Sequence, residues 1–266
     1  MAVTPVPGSA LERINYLVKK YEAYSYLEIG VIAGQRFRAV CTPLKAGVVM
    51  PTGNAPADPE PGTYYFPMSS DDFFSAFREG KEGAARELRQ ALDPPVFDMI
   101  LIDGMHTFAQ SLRDFENSLA CAHPDTLFIL QGSVPCDPYS ALPDQRESLA
   151  YRKQAGLPGL SWHGDVFKTV LAIHDLYPRY SYCTLVSGGS QTLLWQAGES
   201  ERTTRFSSLE EIDALDYFGM LRNADLMMPI KNDLLPDIVG LTLAPGSYRE
   251  DGAWKKLISG KKEVTP

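Results

Sequence analysis

Two short stretches of the chain combine residue types that can do chemistry. In VFDMILIDGMHTF (96–108) an apolar run stops at Asp103, and His106 follows three residues later. A strand ending in an acid sets a carboxylate at the rim of a sheet, and an imidazole beside it can position a substrate and accept its proton. In YSYLEIGVIAG (24–34) Glu28 interrupts another apolar run two residues before Gly30, and Gly34 follows four residues further on. Glycines four apart do not make the GxGxxG cradle that brings several backbone amides to a pyrophosphate at a helix N-terminus. Glu28 would also repel a phosphate, whereas it would attract a cofactor carrying an ammonium and a sulfonium. These residues favour S-adenosylmethionine over a nicotinamide dinucleotide.

Such residues need a sheet to hold their strand ends side by side. Apolar runs at 24–31, 46–50, 63–68, 96–103 and 125–132 read as strands, and 180–186 with 191–196 as a hairpin around SGGS. Between them, helical periodicity or capping residues mark 9–20, a segment after Gly34, 69–77, 81–92, 106–122 and about 164–177. Ser9 and Glu12 have the spacing of a capping box. Residues 51–62, PTGNAPADPEPG, are turn chemistry throughout. From 133 to 162 the pattern breaks amid prolines, which predicts a long loop acting as a lid. Alternating strands and helices predict an α/β fold with a mainly parallel sheet covered on both faces and the hairpin at an antiparallel edge. Ligands of such sheets lie beyond the carboxyl ends of the strands, where the strand order switches.

The 266 residues include 33 acidic and 25 basic side chains, a net charge of −8. That balance gives no general attraction to nucleic acid or anionic lipid. No stretch is apolar and long enough to suggest a signal peptide or a membrane span, so the expectation is a cytoplasmic protein with neither nucleic-acid nor membrane partners. Cys41, Cys121, Cys136 and Cys183 are scattered and form no CxxC pair, which predicts buried or half-buried thiols rather than a disulfide framework or zinc site.

YLEIGVIAGQRF, SSDDFF, FDMILIDGMHTFAQSLRDFENSL and GDVFK (164–168) follow one another in an order that resembles the class I S-adenosylmethionine-dependent methyltransferases, in the methyltransferase 24-like branch with IDGxH after strand four. The resemblance covers about residues 24–195. It implies a Rossmann-like seven-stranded sheet over residues 1–196, with 197–266 a helical extension that packs on the core or makes a dimer interface, and a homodimer as the assembly. It implies that Glu28, Gly30 and Gly34 contact or shape the methionine end of the cofactor, that Ser70 and Asp71 lie near the adenine, and that Asp103 faces the methyl-transfer centre. In related metal-dependent O-methyltransferases a lysine base sits three residues after the corresponding acid, and His106 stands in that place.

Two departures accompany the matches. Relatives commonly carry an acid after strand two that holds the ribose hydroxyls, but this chain reads Gly47-Val48-Val49-Met50-Pro51. Losing one or two charged hydrogen bonds would weaken cofactor binding about tenfold to several hundredfold, unless Asp58 or Glu60 substitutes. After strand five many relatives place paired metal-binding acids, but Gln131-Gly132-Ser133-Val134-Pro135 follows here, and Asp103 alone is too few for a hard cation. No catalytic metal is therefore expected.

His163, Asp165 and Lys168 are candidates for substrate binding, although Asp165 also suits a helix-capping role and Lys168 a solvated one. Trp162, Phe167 and Trp195 read as core, and KKLISGKK (255–262) as a solvated tail. The expected activity is O-methylation of a sugar or secondary-metabolite hydroxyl, with His106 as base and Asp103 orienting it. The competing expectation is a methyltransferase-like fold that has lost methyl transfer and serves as a binding or scaffold subunit, or runs another reaction in the same crevice.

Overall fold

A computed structural model describes residues 7–53, 55, 56, 59–198 and 202–243. The strand over Phe97–Ile102 shows why the sheet is central. Met99 and Leu101 project to one side, Ile100 and Ile102 to the other, and all four are buried. A strand covered on both faces reads as a continuous apolar run rather than an alternating one. In chain order the strands are β1 (Ser25–Val31), β2 (Leu44–Val49), β3 (Thr63–Phe66), β4 (Phe97–Ile102), β5 (Ala122–Gln131), β6 (Tyr180–Leu185), β7 (Gln191–Gln196) and β8 (Pro229–Ile230). They form one sheet in the order β3-β2-β1-β4-β5-β7-β6-β8, with β7 antiparallel to both its neighbours and every other pairing parallel. The chain runs outward from β1 to β3, then returns to β4 on the opposite side of β1. The carboxyl ends of β1 and β4 thus border the crevice where strand order switches.

Helices cover both faces. On one face lie α1 (Ala10–Lys20), the short α2 (Gln35–Arg38) and, from the far end of the chain, a helix over Leu235–Leu243; on the other lie α3 (Ser70–Glu79), α4 (Gly83–Ala91), α5 (Phe108–Ser118) and a helix over Phe167–Leu176. The Ser9 side chain accepts from Glu12 N and the Glu12 carboxylate accepts from Ser9 N, the capping box expected from their spacing. Arg13, fully buried on α1, donates to Gln191 Oε1 at 2.7 Å and to Ser187 O at 2.6 Å, pinning the β6–β7 turn. Cys121 and Cys183 are buried, but Cys41 and Cys136 are exposed, and none is bonded to another.

Three details go beyond the expected fold. Among the described residues the sheet has eight strands, one more than the resemblance implies, because Pro229–Ile230 adds a two-residue pairing beside β6. The 133–162 segment is not simply a loop: it contains α6 (Gln145–Gln154), capped by Asp144 and tied down by Arg152, which pairs with Asp137 and donates to Pro158 O at 2.8 Å. This helix buries only Ser148 and Arg152, so it has no apolar stripe by which to be recognised. The described part of the segment after residue 197 carries a short strand as well as helices. After α7 (Phe167–Leu176), it supplies α8 (Leu209–Asp213), α9 (Tyr217–Arg222), β8 and α10 (Leu235–Leu243). Ile212 and Met220 join the core over α5 and α7, while Leu235 and Ile238 join the core beside α1. Asp58 and the 255–262 tail lie outside the described residues.

At the amino ends of the strands, Asp98 joins β1, β4 and β5. Its Oδ2 accepts from Tyr24 N, Ser25 N and Ser25 Oγ at 2.8–2.9 Å, and its Oδ1 lies 3.0 Å from His123 Nε2. Burial alone would raise its pKa, but the bonds to His123 and Ser25 outweigh burial and hold it at about 2. An unfolded aspartate titrates near ~3.9. The folded pKa is the lower one, so the stabilisation is complete above about pH 4 and is lost as pH falls towards 2. Thermal melts should therefore show Tm falling across that window. Asp98→Asn should melt lower at pH 6 and lose less on acidification; parallel curves for the two proteins would show that this carboxylate carries none of the acid sensitivity.

Candidate active site

The crevice is shaped first by glycines. Asp103 N donates to Ile29 O at 2.9 Å, closing the end of β4 onto β1. At Gly30 (φ +103°) a Cβ would lie 1.9 Å from Asp103 O, so only glycine permits that approach. Gly34, also left-handed, then turns the chain into α2 and brings Arg36 back over the strand ends. Arg36 Nη2 lies 2.7 Å from Glu28 Oε1, and Nη1 lies 2.7 Å from Asp103 Oδ2. The Tyr26 hydroxyl donates to Glu28 Oε2 at 2.7 Å, and His106 Nε2 lies 2.8 Å from Asp103 Oδ1. Tyr26, Glu28, Arg36, Asp103 and His106 thus form one unbroken polar chain across the switch point.

The charges in this chain set one another. Burial raises the Glu28 pKa and prevails over the nearby Arg36. Asp103 is also pushed up by burial, but the His106 bond and the Arg36 charge bring it below the ordinary carboxylate value. Burial opposes the charge on Arg36, yet Asp103 and Glu28 hold it firmly cationic. Arg36 was missed in the sequence; its signal was a basic residue two positions after Gly34. Glu28 is 2% exposed, with both oxygens taken by Tyr26 and Arg36. Two carboxylates facing one guanidinium attract a cationic cofactor less than a bare Glu28 would.

His106 has φ +53°, a conformation uncommon for a non-glycine residue and often found at functional sites. Its ring stacks on Trp162 at 5.3 Å, so Trp162 is a wall of the site rather than only core. With Nε2 on the Asp103 carboxylate, Nδ1 is left buried and without a partner. A Cβ at Gly132 would come within 3.4 Å of Nδ1, so glycine keeps that side clear. The structure brings His163 to the same corner, where its Nδ1 is also buried and unpartnered. Burial, then the neighbouring His106, lower the His163 pKa. The 133–162 segment holds this corner through Ser140 O, which accepts from His163 N and Gly164 N, and through Leu142 O, which accepts from Trp162 Nε1.

Beside the polar chain, a cavity of about 170 Å³ opens at the carboxyl ends of β1 to β4. Gly30, Ser70 and Asp71 line it, together with Met50, Gln110 and Asp114. The Ser70 hydroxyl and the Gln110 amide both donate to Asp114 Oδ1, at 2.6 and 2.9 Å. Burial raises the Asp114 pKa despite these bonds. Asp71 pairs with Arg113 at 3.0 Å. Glu60 cannot replace the absent ribose acid, because its carbonyl accepts from Thr63 N at the amino end of β3, the wrong end of the sheet.

Asp165 and Lys168 are buried and paired with each other at 3.0 Å, which corrects the expectation of a solvated lysine. Asp165 accepts from Phe108 N at 2.7 Å and so caps α5, while Lys168 donates to Asp213 O at 2.6 Å. They lie at a second cavity of about 430 Å³, walled by Tyr139, Tyr151, Tyr217 and Phe218. His106 does not line that cavity, and Asp165 and Lys168 already have their partners.

The donors after β5 do not fit a hard divalent cation. Asp103 has one oxygen on His106 and the other on Arg36; Gln131 Oε1 accepts from Gln191, and Ser133 Oγ accepts from Thr192. Among the described residues no three His, Cys, Asp or Glu side chains are grouped to hold a metal ion.

No protein-family profile matches the chain, and no curated protein matches it significantly. Among solved structures it is similar to an O-methyltransferase from Bacillus cereus in complex with SAH, at 14% identity over 73% of this chain and 84% of that one, with a TM-score of 0.40. It is also similar to the MycE methyltransferase from the mycinamycin biosynthetic pathway in complex with Mg, SAH and mycinamycin VI, at 13% identity over 74% of this chain and 57% of that one, with a TM-score of 0.41. Likeness this distant carries no activity across; function has to be read from the residues of the site.

The polar chain makes a direct prediction. Arg36→Met leaves Glu28 buried without its counter-charge and should lower unfolding free energy by about 3 kcal/mol in urea at pH 7. Adding Glu28→Gln should restore part of that loss. A single-variant loss under about 0.5 kcal/mol, the scale of an ordinary surface change, would show that the guanidinium is not what holds the two carboxylates together.

Proposed function

We propose that the protein is an S-adenosylmethionine-dependent methyltransferase acting on a small-molecule hydroxyl, with His106 as general base. The observation that carries this reading is the state of that imidazole. Its Nε2 faces an ionised Asp103, and its Nδ1 is buried and unbonded at the end of β4, in the crevice that doubly wound sheets use for ligands. The carboxylate fixes the tautomer, leaving Nδ1 as the nitrogen able to accept a proton.

The residues present suit the cofactor in part. The 170 Å³ cavity offers apolar walls to a nucleoside, and the Gly30–Gly34 turn leads to its methionine end. Arg36 Nε, buried and unpartnered, is available to a carboxylate there. When bound, S-adenosylmethionine supplies a methyl group on a sulfonium leaving group. The protein then has to align the acceptor and remove its proton. His106 Nδ1 takes that proton, and Asp103 stabilises the imidazolium that results; a base of this kind contributes roughly 10²–10⁴ in rate. Trp162 fixes the plane of the ring, and the 133–162 segment covers this corner against water. The unfavourable donor set around Asp103 supports a metal-independent reaction.

A second reading is favoured by the Arg36 bridge. A cation already facing Glu28 and Asp103, together with Met50-Pro51 where relatives hold the ribose, suits a methyltransferase-like fold that binds or scaffolds without transferring methyl groups.

Calorimetric titration with S-adenosylhomocysteine separates the two. Binding in the micromolar range is expected; no heat up to millimolar ligand rejects the methyltransferase reading. His106→Ala should retain the cofactor affinity and lose about a hundredfold or more in S-adenosylhomocysteine production across a panel of glycosides and other hydroxyl acceptors. Unchanged turnover removes His106 as the base. EDTA should leave the rate unchanged; loss on chelation with recovery in Mg²⁺ would establish a metal requirement instead.

A further inference from the structure

The second cavity, walled by the 133–162 segment, the start of α7 and the residues joining α8 to α9, measures about 430 Å³. That lies within the roughly 300–1,000 Å³ of small-molecule sites. Two aromatic pairs line it. Tyr139 and Tyr151 stack with their ring centroids 6.1 Å apart, and Tyr217 meets Phe218 edge to face at 5.6 Å. Tyr151 and Phe218 remain 45% and 55% exposed, so core packing does not explain their being aromatic. Single exposed rings are ordinary, but two bordering one cavity form a patch of the kind that marks a ligand site.

The charged groups give the cavity a sign. Asp165, Lys168 and Asp216 line it, two carboxylates against one ammonium. That ammonium is already engaged: Lys168 Nζ lies 3.0 Å from Asp165 Oδ2, donates to Asp213 O at 2.6 Å and has the Asp213 carboxylate at 3.5 Å. The faces of aromatic rings are also negative and attract a cation through their quadrupole. An anion would meet the carboxylates, whereas a cation finds both the carboxylates and the rings. Both Asp165 oxygens are taken, by Phe108 N and Lys168, so the wall has few acceptors to offer an N–H group. A fully alkylated ammonium carries no N–H and loses none of these bonds on leaving water. We propose that this cavity is a second ligand site, apart from the crevice, and that it takes the alkylated ammonium group of a small organic cation. It shares a wall with the catalytic corner: Leu142 lines the cavity, and Leu142 O holds Trp162, which stacks on His106. The inference does not rest on the methyltransferase reading.

Full-length protein is titrated calorimetrically, at constant ionic strength, with choline and with neohexanol, its uncharged analogue with carbon in place of nitrogen. Choline should bind with a Kd at or below about 1 mM, and about tenfold or more tightly than neohexanol. Phe218→Leu and Tyr151→Leu keep apolar bulk at exposed positions, and each should weaken choline about threefold or more while leaving the thermal melt unchanged. Asp216 accepts from Gly219 N at 2.7 Å, a bond that Asp216→Asn can keep. That substitution removes only the charge and should weaken choline without affecting neohexanol. Equal affinity for the two probes, choline binding untouched by both aromatic substitutions, or no binding of choline to the wild type overturns the inference. Displacement of choline by S-adenosylhomocysteine would put the cation in the crevice and overturn it as well. No heat with S-adenosylhomocysteine rejects the methyltransferase reading alone, because the comparison of choline with neohexanol is made without it.

Discussion

The site depends on one guanidinium placed between two carboxylates. Glu28 interrupts the apolar run of β1 and Asp103 follows β4, and these strands are neighbours only because the chain reverses its order at that point. Without Arg36 the switch point would hold two negative charges largely out of water, an arrangement that costs several kcal/mol. With it, the charges become a chain running from Tyr26 to His106 and fixing the imidazole at its end. The same contact restrains the chemistry, because it reduces the field a cationic ligand would meet. Stability and cofactor attraction are therefore set by the same two bonds.

The remaining polar groups divide around that chain. On one side, Ser70, Gln110 and Asp114 face a small, mostly apolar cavity; on the other, His106, Trp162 and His163 meet beneath the 133–162 segment. Gly30, Gly132 and Gly164 permit the two halves to meet, since side chains there would collide with Asp103, crowd His106 Nδ1 or strike His106 O. Asp165 and Lys168 belong to neither half: they cap α5 and tie α7 to Asp213.

Much of this was readable from the sequence, for physical reasons that differ by element. Strands buried on both faces leave continuous apolar runs, which is why β1, β4 and β5 were placed within a few residues. Ser9 and Glu12 mark their helix because capping is a local bond between residues three apart. Asp103 and His106 were visible because the hydrogen bond between them spans one turn of chain. Helix α6 was not visible, since it buries almost nothing, and β8 has only two residues and is defined by its partner. Arg36 and Asp114 were missed because a lone arginine or aspartate on a helix reads as solvated until its partners are known.

By itself the sequence determined the α/β class, the parallel core, the two glycine turns and the acid–imidazole pair, all of which rest on periodicity or on bonds a few residues long. Tertiary structure alone decided which groups are available to a ligand. Glu28 is used by Arg36 and Asp165 by Phe108 N, whereas Asp114, 44 residues from Ser70 and on another helix, keeps a bare oxygen in a cavity. A side chain's chemistry is written in its type, but its availability depends on partners that only the folded chain brings within bonding distance.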